Sequence, residues 1–234
     1  MSQVPPPPPP ASPPPPPPSG AVPTGGGGAA FNLGDAVSYG FNGLMKNIGP
    51  MILITLVIVL VNLVLTIIAF PFDNAFMRLI INLIGWIVGM VLAMGLIRAS
   101  LAVTAGRTPE VSMLFETENL GSYVIASILF GIGLFIGLIL CIIPGIFFAV
   151  VFGFFGYVIV ERGEQSPIDA LKRAATITEG HRGALFGLML VLFLINLVGA
   201  ILCGIGLLFT YPLTAIAIAY AYRTLSGEPV APVN

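Results

Sequence analysis

Four stretches of the chain contain no Asp, Glu, Lys or Arg: 47–72, 79–97, 119–160 and 183–222. Within them apolar residues follow one another with no period-2 alternation, so none reads as a half-buried strand. A helix needs about 20 apolar residues, at about 1.5 Å each, to cross a bilayer. The first two stretches each hold one such helix. The last two are twice as long and must fold back on themselves. The expected crossings are about 49–70, 79–98, 122–142, 146–160, 184–203 and 207–222. A five-crossing arrangement with one re-entrant run is the alternative. The turns fall at the breakers. Pro144 and Gly145 stand near the middle of "LILCIIPGIFFAVV", and Gly204 and Gly206 within "AILCGIGLLFTYPL". Proline lacks a backbone donor and glycine admits positive φ, which makes both pairs turn signals.

Composition supports the same class. The chain is 57% hydrophobic and 8% charged, with a mean hydropathy of +1.03. Soluble domains carry about 25% charged residues, so these charges are too few to coat a water-facing surface. They are also unevenly distributed. With six crossings, Lys46, Arg98, Arg107, Arg162, Lys172, Arg173, Arg182 and Arg223 fall on the side of the termini, and only Arg78 falls on the other. Basic loops mark the cytoplasmic side. The expectation is a multi-pass cell-membrane protein with both termini cytoplasmic.

Residues 1–30 form a separate region, "PPPPPPASPPPPPP" followed by "SGAVPTGGGG". Polyproline favours an extended PPII helix and the glycines form a flexible joint. With no basic start and no apolar core, the region does not read as a signal peptide. It is either a spacer or a ligand for the aromatic groove of a protein partner. Residues 31–223 form the membrane domain, and 224–234 a short C-terminal tail.

The chain also resembles itself. Shifted by 134 residues, "GDAVSYGFNGLMKNIGPMILITLVIVLVNLV" (34–64) falls on "IDALKRAATITEGHRGALFGLMLVLFLINLV" (168–198). Asp35 meets Asp169, Gly49 meets Gly183 and Asn62 meets Asn196. Shifted by 62, "ILC" at 139–141 falls on "ILC" at 201–203. "TPEVSMLF" (108–115) and "SPIDALKR" (166–173) both open with a hydroxyl residue and Pro, a helix-start signature. Three pseudo-repeats are predicted, about 31–101, 108–160 and 166–223. Each is an interfacial amphipathic helix followed by a membrane hairpin. The first amphipathic stripe is Leu33, Val37, Phe41 and Leu44, and the third is Ile168, Leu171, Ala175 and Thr178, with Gly180 as the stop. Such helices suit the bilayer interface and its lipids.

Candidate chemistry is sparse. Asn62 and Asn196 each lie 13 residues beyond a matched glycine, about 20 Å into the apolar layer. They are either interhelical glue or the lining of a polar path. Gly85 and Gly89, Gly133 and Gly137, Ala215 and Ala219, and Ala217 and Ala221 are small-residue pairs suited to close helix packing. Cys141 and Cys203 end the third and fifth crossings at matching positions; they are two free thiols or an extracytoplasmic disulfide. His181, the single histidine, sits at a helix end near the interface. Asp35, Glu161, Glu164 and Asp169 read as caps or solvated charges. "TGGGG" lacks a P-loop lysine and no HExxH is present, so neither an enzyme nor a cofactor is expected. With a pI of about 5.7 and no basic patch among aromatics, nucleic-acid binding is not expected either. No charge lies deep in any crossing, which argues against proton coupling.

"GDAVSYGFNGLMKN" (34–47), "IIPGIFFAVVFGFFGYVIVERGEQSPIDALKRAATITEGHRG" (142–183) and the six-crossing plan resemble bacterial membrane proteins grouped with the membrane domain of glycerophosphoryl diester phosphodiesterase. They also resemble a neighbouring group of integral membrane proteins. The tail is similar to that of actinobacterial proline- and glycine-rich transmembrane proteins. The resemblance covers about 31–223 and implies architecture and membrane location. The phosphodiesterase catalytic domain, with its metal-binding His and carboxylates, has no counterpart in this sequence, so the resemblance implies no activity. The function expected is that of a non-catalytic scaffold or accessory protein. The alternative is a carrier or lipid-handling protein with a path near Asn62 and Asn196.

Overall fold

The computed structural model describes residues 31–70, 74–202 and 204–233. The proline-rich tail and Cys203 lie outside the described residues, and with Cys203 the Cys141–Cys203 pairing. Among the described residues the regular elements are all helical: α1 (Leu33–Lys46), α2 (Ile48–Ala69), α3 (Ala75–Thr104), α4 (Leu120–Leu140), α5 (Ile142–Phe152), α6 (Phe155–Arg162), α7 (Pro167–Ile177), α8 (Arg182–Ile201) and α9 (Leu207–Ser226). A single 3₁₀ segment, Val111–Phe115, joins α3 to α4.

Among the described residues five stretches are long and apolar enough to cross a membrane: α2, α3, α4, the α5–α6 pair and α8. Their outer faces are apolar. Leu63 is 51% exposed, Phe135 64% and Phe193 61%. A monomer in water rarely exposes an apolar patch larger than a few hundred Å², whereas hydrocarbon imposes no such limit. The expected sixth crossing, α9, is not among the five. It is 20 residues long but carries Thr210, Tyr211, Thr214, Tyr220 and Tyr222. The physical reason is its position. It packs against α1, α2, α3 and α8, and Leu213, Ile216, Ala217, Ala219, Ala221 and Tyr222 are buried. A helix wrapped by other helices has little lipid to face, so its sequence need not be apolar throughout.

Small residues set how closely the helices approach α9. A Cβ added to Gly40 of α1 would lie 2.9 Å from both Ala217 Cβ and the Leu213 carbonyl oxygen. One added to Gly43 would lie 3.1 Å from Ile216 Cγ2. The buried face of α1 is therefore Ala36, Tyr39, Gly40, Gly43 and Leu44. This corrects the expected stripe. Leu44 belongs to it, Leu33 and Val37 are half-buried, and Phe41 points outward. Close backbone approach selects small side chains, which a search for large apolar ones overlooks. In α7 the shift is similar: Ala170 and Ala174 are buried, Leu171 and Ala175 are half-buried and Ile168 is exposed, while Thr178, the C-cap, is buried as expected.

Several local signals are read correctly and two are not. Ser166 caps α7 by accepting from Asp169 N, with Pro167 in the first turn. Gly180 has φ +80° just beyond that helix, and Gly204 has φ +75° between α8 and α9. "TPEV" does not start an α-helix. It leads only into the 3₁₀ segment, whose cap is Glu110. The Pro144–Gly145 turn is also corrected. The chain reverses at Cys141, whose backbone is extended (φ −175°, ψ 155°), and α5 has already begun at Ile142. Pro144 is the third residue of that helix, where its missing N–H costs no helical bond. Gly145 is needed for contact instead. A Cβ there would lie 2.5 Å from Leu138 Cδ2, and one on Gly137 would lie 2.9 Å from Gly145 Cα. A Cβ on Gly133 would meet Phe148 Cζ at 2.3 Å. The Gly133/Gly137 pair thus serves packing of α4 on α5. Gly85 and Gly89 differ: Gly89 has nothing within 4 Å of an added Cβ, and Gly85 only Leu65 Cδ1 at 3.9 Å.

Candidate functional site: two amides on apolar helices and a charged cleft

Asn196 lies on α8 opposite two hydroxyls of α9. Its Nδ2 donates to the Leu192 carbonyl one turn back at 2.8 Å and to Thr214 Oγ1 at 2.6 Å. Its Oδ1 accepts from Thr210 Oγ1 at 3.0 Å. Thr214 Oγ1 in turn donates to the Thr210 carbonyl at 2.8 Å. Both ends of the amide are held. The two helices come together here because Gly199 leaves room: a Cβ on it would lie 2.6 Å from Thr210 Oγ1. The sequence reading singled out Asn196 and missed Thr210 and Thr214. The available signal was their i, i+4 spacing, which puts both hydroxyls on one face of the next helix.

Asn62 sits in different surroundings. It is exposed on α2, and its Nδ2 donates only to the Ile58 carbonyl of its own helix, at 2.8 Å. Thr66 Oγ1 donates to the Asn62 backbone carbonyl at 2.8 Å. Oδ1 and the second amide N–H make no bond among the described residues. The starts of α7 and α8 each follow those of α1 and α2 by 134 residues. At that same offset before Thr210 and Thr214 stand Phe76 and Ile80. The hydroxyls that hold Asn196 have no equivalents near Asn62. The structure does not bring the two amides together.

Polar chemistry gathers at the end of the bundle where α3, α6 and α9 finish. An open cleft of about 400 Å³ is lined by Arg98, Arg107, Arg223, Glu116, Glu118 and Glu161, among others. Arg98 Nε pairs with Glu116 Oε2 at 3.3 Å, and its Nη2 donates to the Glu118 carbonyl at 2.8 Å. Arg223 Nε donates to Glu161 Oε1 at 2.8 Å, and its Nη1 donates to the Pro229 carbonyl at 3.0 Å. Two of the three arginines are thus committed to internal partners, and three carboxylates balance three guanidinium groups.

The C-terminal segment closes over this end. Ala231 N donates to the Thr104 carbonyl at 2.8 Å, and Tyr39 OH donates to the Ala231 carbonyl at 2.8 Å. Arg162 pairs with Glu228 at 3.3 Å. Burial pushes the Tyr39 hydroxyl up to about 12, against the lowering pull of Arg223. Tyr39 therefore keeps its proton and its bond at physiological pH. His181 Nδ1 lies 3.3 Å from the Glu179 carbonyl, and His181 does not line the cleft. Among the described residues no three His, Cys, Asp or Glu side chains are grouped to hold a metal.

The geometry is that of a helical bundle with an apolar outer belt, a polar helix–helix lock and one charged end. The chain belongs to the family described as Domain of unknown function (DUF7847), which matches residues 72–231. It is 32% identical over 136 residues to the uncharacterised protein Rv2560 of Mycobacterium tuberculosis, covering 58% of this chain and 42% of that protein. The uncharacterised protein Mb2590 of Mycobacterium bovis matches with the same identity and coverage. The chain thus spans less than half the length of the curated relatives it matches. No solved structure matches it. These matches give no link to the membrane domain of glycerophosphoryl diester phosphodiesterase, so that part of the resemblance is not supported.

Proposed function

We propose that the protein is a non-catalytic scaffold or accessory protein of the cell membrane. It crosses six times, with both termini cytoplasmic, and is built from three pseudo-repeats. The observation that carries this reading is the Asn196–Thr210–Thr214 lock. The most polar side chain inside the α8–α9 contact is fully occupied in joining two helices, which leaves it nothing to offer a solute. The 134-residue registration of α1–α2 with α7–α8 supports the repeats. The central position of α9 supports its counting as the sixth crossing, because it packs against α1, α2, α3 and α8 and its Thr210 and Thr214 hydroxyls face α8. The gathering of basic side chains at one end supports the orientation. A carrier with a path past both amides receives less support, since Asn62 and Asn196 share no hydrogen-bond partner among the described residues.

A scaffold acts through surfaces, and its partners should remain attached when it is withdrawn gently from the membrane. Co-purification of the full chain from native membrane, followed by mass spectrometry, tests this. A stoichiometric protein companion is the expected result. An ordered small solute or lipid with no protein companion would overturn the reading in favour of a carrier or lipid-handling role.

A further inference from the structure

The helices are packed together along one half of their length and stand apart along the other. In α3 residues 92–104 are all buried or half-buried, whereas 75–80 are all exposed. In α5 and α6 the run 148–161 is buried or half-buried, but Ile142, Ile143, Ile146 and Phe147 are exposed. In α9 the same change falls after Tyr211, and residues 212–226 are buried or half-buried. In α4 Tyr123 and Ala126 are the buried residues, and both lie in its first two turns.

The exposed residues of the two halves differ in kind. In the open half, the runs 56–69, 75–91, 125–140 and 190–201 hold Arg78 as their only charged residue. At about 1.5 Å per residue, 75–91 and 125–140 each rise about 25 Å, close to the about 30 Å of a hydrocarbon core. In the packed half, α1 exposes Asp35, Ser38 and Asn42, and α7 exposes Asp169, Lys172 and Arg173. The loop between α3 and α4 exposes Arg107, Glu110, Glu116 and Glu118.

Both short helices stand against the packed half. On α1, Tyr39 stacks on Tyr220 with centroids 4.6 Å apart, while Gly43 faces Ile216. The chain thus advances along α1 as it retreats along α9. On α7, Arg173 pairs with Glu164 at 3.0 Å, and Thr178 Oγ1 donates to the Val151 carbonyl at 3.1 Å. That helix runs back along α6 towards α5. A helix lying on a bilayer gives its apolar face to lipid. These two give theirs, Ala36 and Tyr39 on one and Ala170 and Ala174 on the other, to the bundle.

We propose that the protein meets the bilayer with the open half alone, and that the packed half, with α1 and α7 upright on it, stands in water as a helical cap. The proposal rests on the membrane-embedded reading above and sets where lipid ends. Lipid around the packed half would strip water from Lys172 and Arg173, whose side chains are 73% and 53% exposed. Taking such charges out of water is costly. The charged cleft belongs to the cap, so a water-soluble partner reaches it without entering lipid.

Trp86 of α3, the single tryptophan of the chain, is exposed in the open half and serves as a built-in reporter. The full chain is placed in phosphatidylcholine vesicles whose acyl chains carry bromine, a contact quencher. Trp86 should lose more than half of its emission there and stay insensitive to iodide present in the water on both faces. In a Trp86→Phe background, Ile168→Trp reports from α7 and Phe115→Trp from the 3₁₀ segment. Both positions are exposed, at 57% and 60%, and accept the larger ring. Each replacement should keep nearly all its emission in brominated lipid and lose more than half to iodide. Melting curves matching the wild type show that each variant keeps the fold, and the two positions report independently. The proposal is overturned if either is quenched by brominated chains as strongly as Trp86, the result expected of helices lying in the interface. Should Trp86 itself escape the brominated chains, the membrane reading falls, and this proposal with it.

Discussion

Asn62 and Asn196 are the same residue at the same register, and their energetic roles differ because their neighbours differ. Asn196 holds α8 to α9 through Thr210 and Thr214. Interhelical hydrogen bonds in membranes contribute about 0.6–2 kcal/mol. Asn196→Leu removes two of them and strands the Thr210 hydroxyl, so a loss of about 1–2 kcal/mol is expected. Asn62→Leu breaks only a bond to its own helix and should change monomer stability by no more than about 0.5 kcal/mol. Thermal melts of the two single variants in one detergent check the pair. Equal losses would contradict the different bonding of the two sites.

At the scale of elements, one tight constraint is the crossing of α1 over α9. Gly40 has no room for a side chain: a Cβ would meet Ala217 Cβ and the Leu213 carbonyl oxygen, both at 2.9 Å. Backbone cannot swing aside as the end of a flexible side chain can. Helix propensity favours Ala over Gly by up to about 1 kcal/mol, yet overpacking costs about 1–3 kcal/mol. Gly40→Ala should therefore destabilise on balance, and Gly40→Leu more so. Gly183→Ala is the control, because a Cβ there has nothing within 4 Å, and it should be neutral or mildly stabilising. Melting temperatures of the three variants decide the matter. If Gly40→Ala melts at or above wild type, α1 does not pack on α9 through this glycine.

For the whole molecule the question is on which side each loop lies. Loop 163–166 and the C-terminal segment are separated by α8 and α9. If both helices cross, positions 165 and 230 face the same side, whereas position 74 faces the other. Single cysteines at 74, 165 and 230 in a cysteine-free chain allow a direct measurement. In intact cells an impermeant thiol reagent should label 74 alone, and all three after permeabilisation. Labelling at 165 in sealed cells would sink the proposed orientation. Labelling at 230 but not 165 would make α9 a non-crossing helix and the bundle five-crossing.

By itself the sequence determined the helical class, the apolar stretches and the ends set by capping chemistry. These follow from local properties: about 20 uncharged residues in a row, a serine before proline at 166–167, and glycines at 180 and 204. It also picked out Asn62 and Asn196, because an amide in an apolar run stands out in a linear pattern. Tertiary structure decided what those features do. Which amide finds hydroxyls depends on the helix placed beside it. Whether a glycine makes a turn or a contact depends on what approaches it, and Gly145 makes the contact. The buried face of α1 was misread for the same reason. Apolar periodicity gives weight to large side chains, while close helix packing on α9 selected Ala36, Gly40 and Gly43. Hydrophobicity is a property of each residue and can be read in order along the chain. Proximity is a property of pairs far apart in sequence, and only the packed helices fix it.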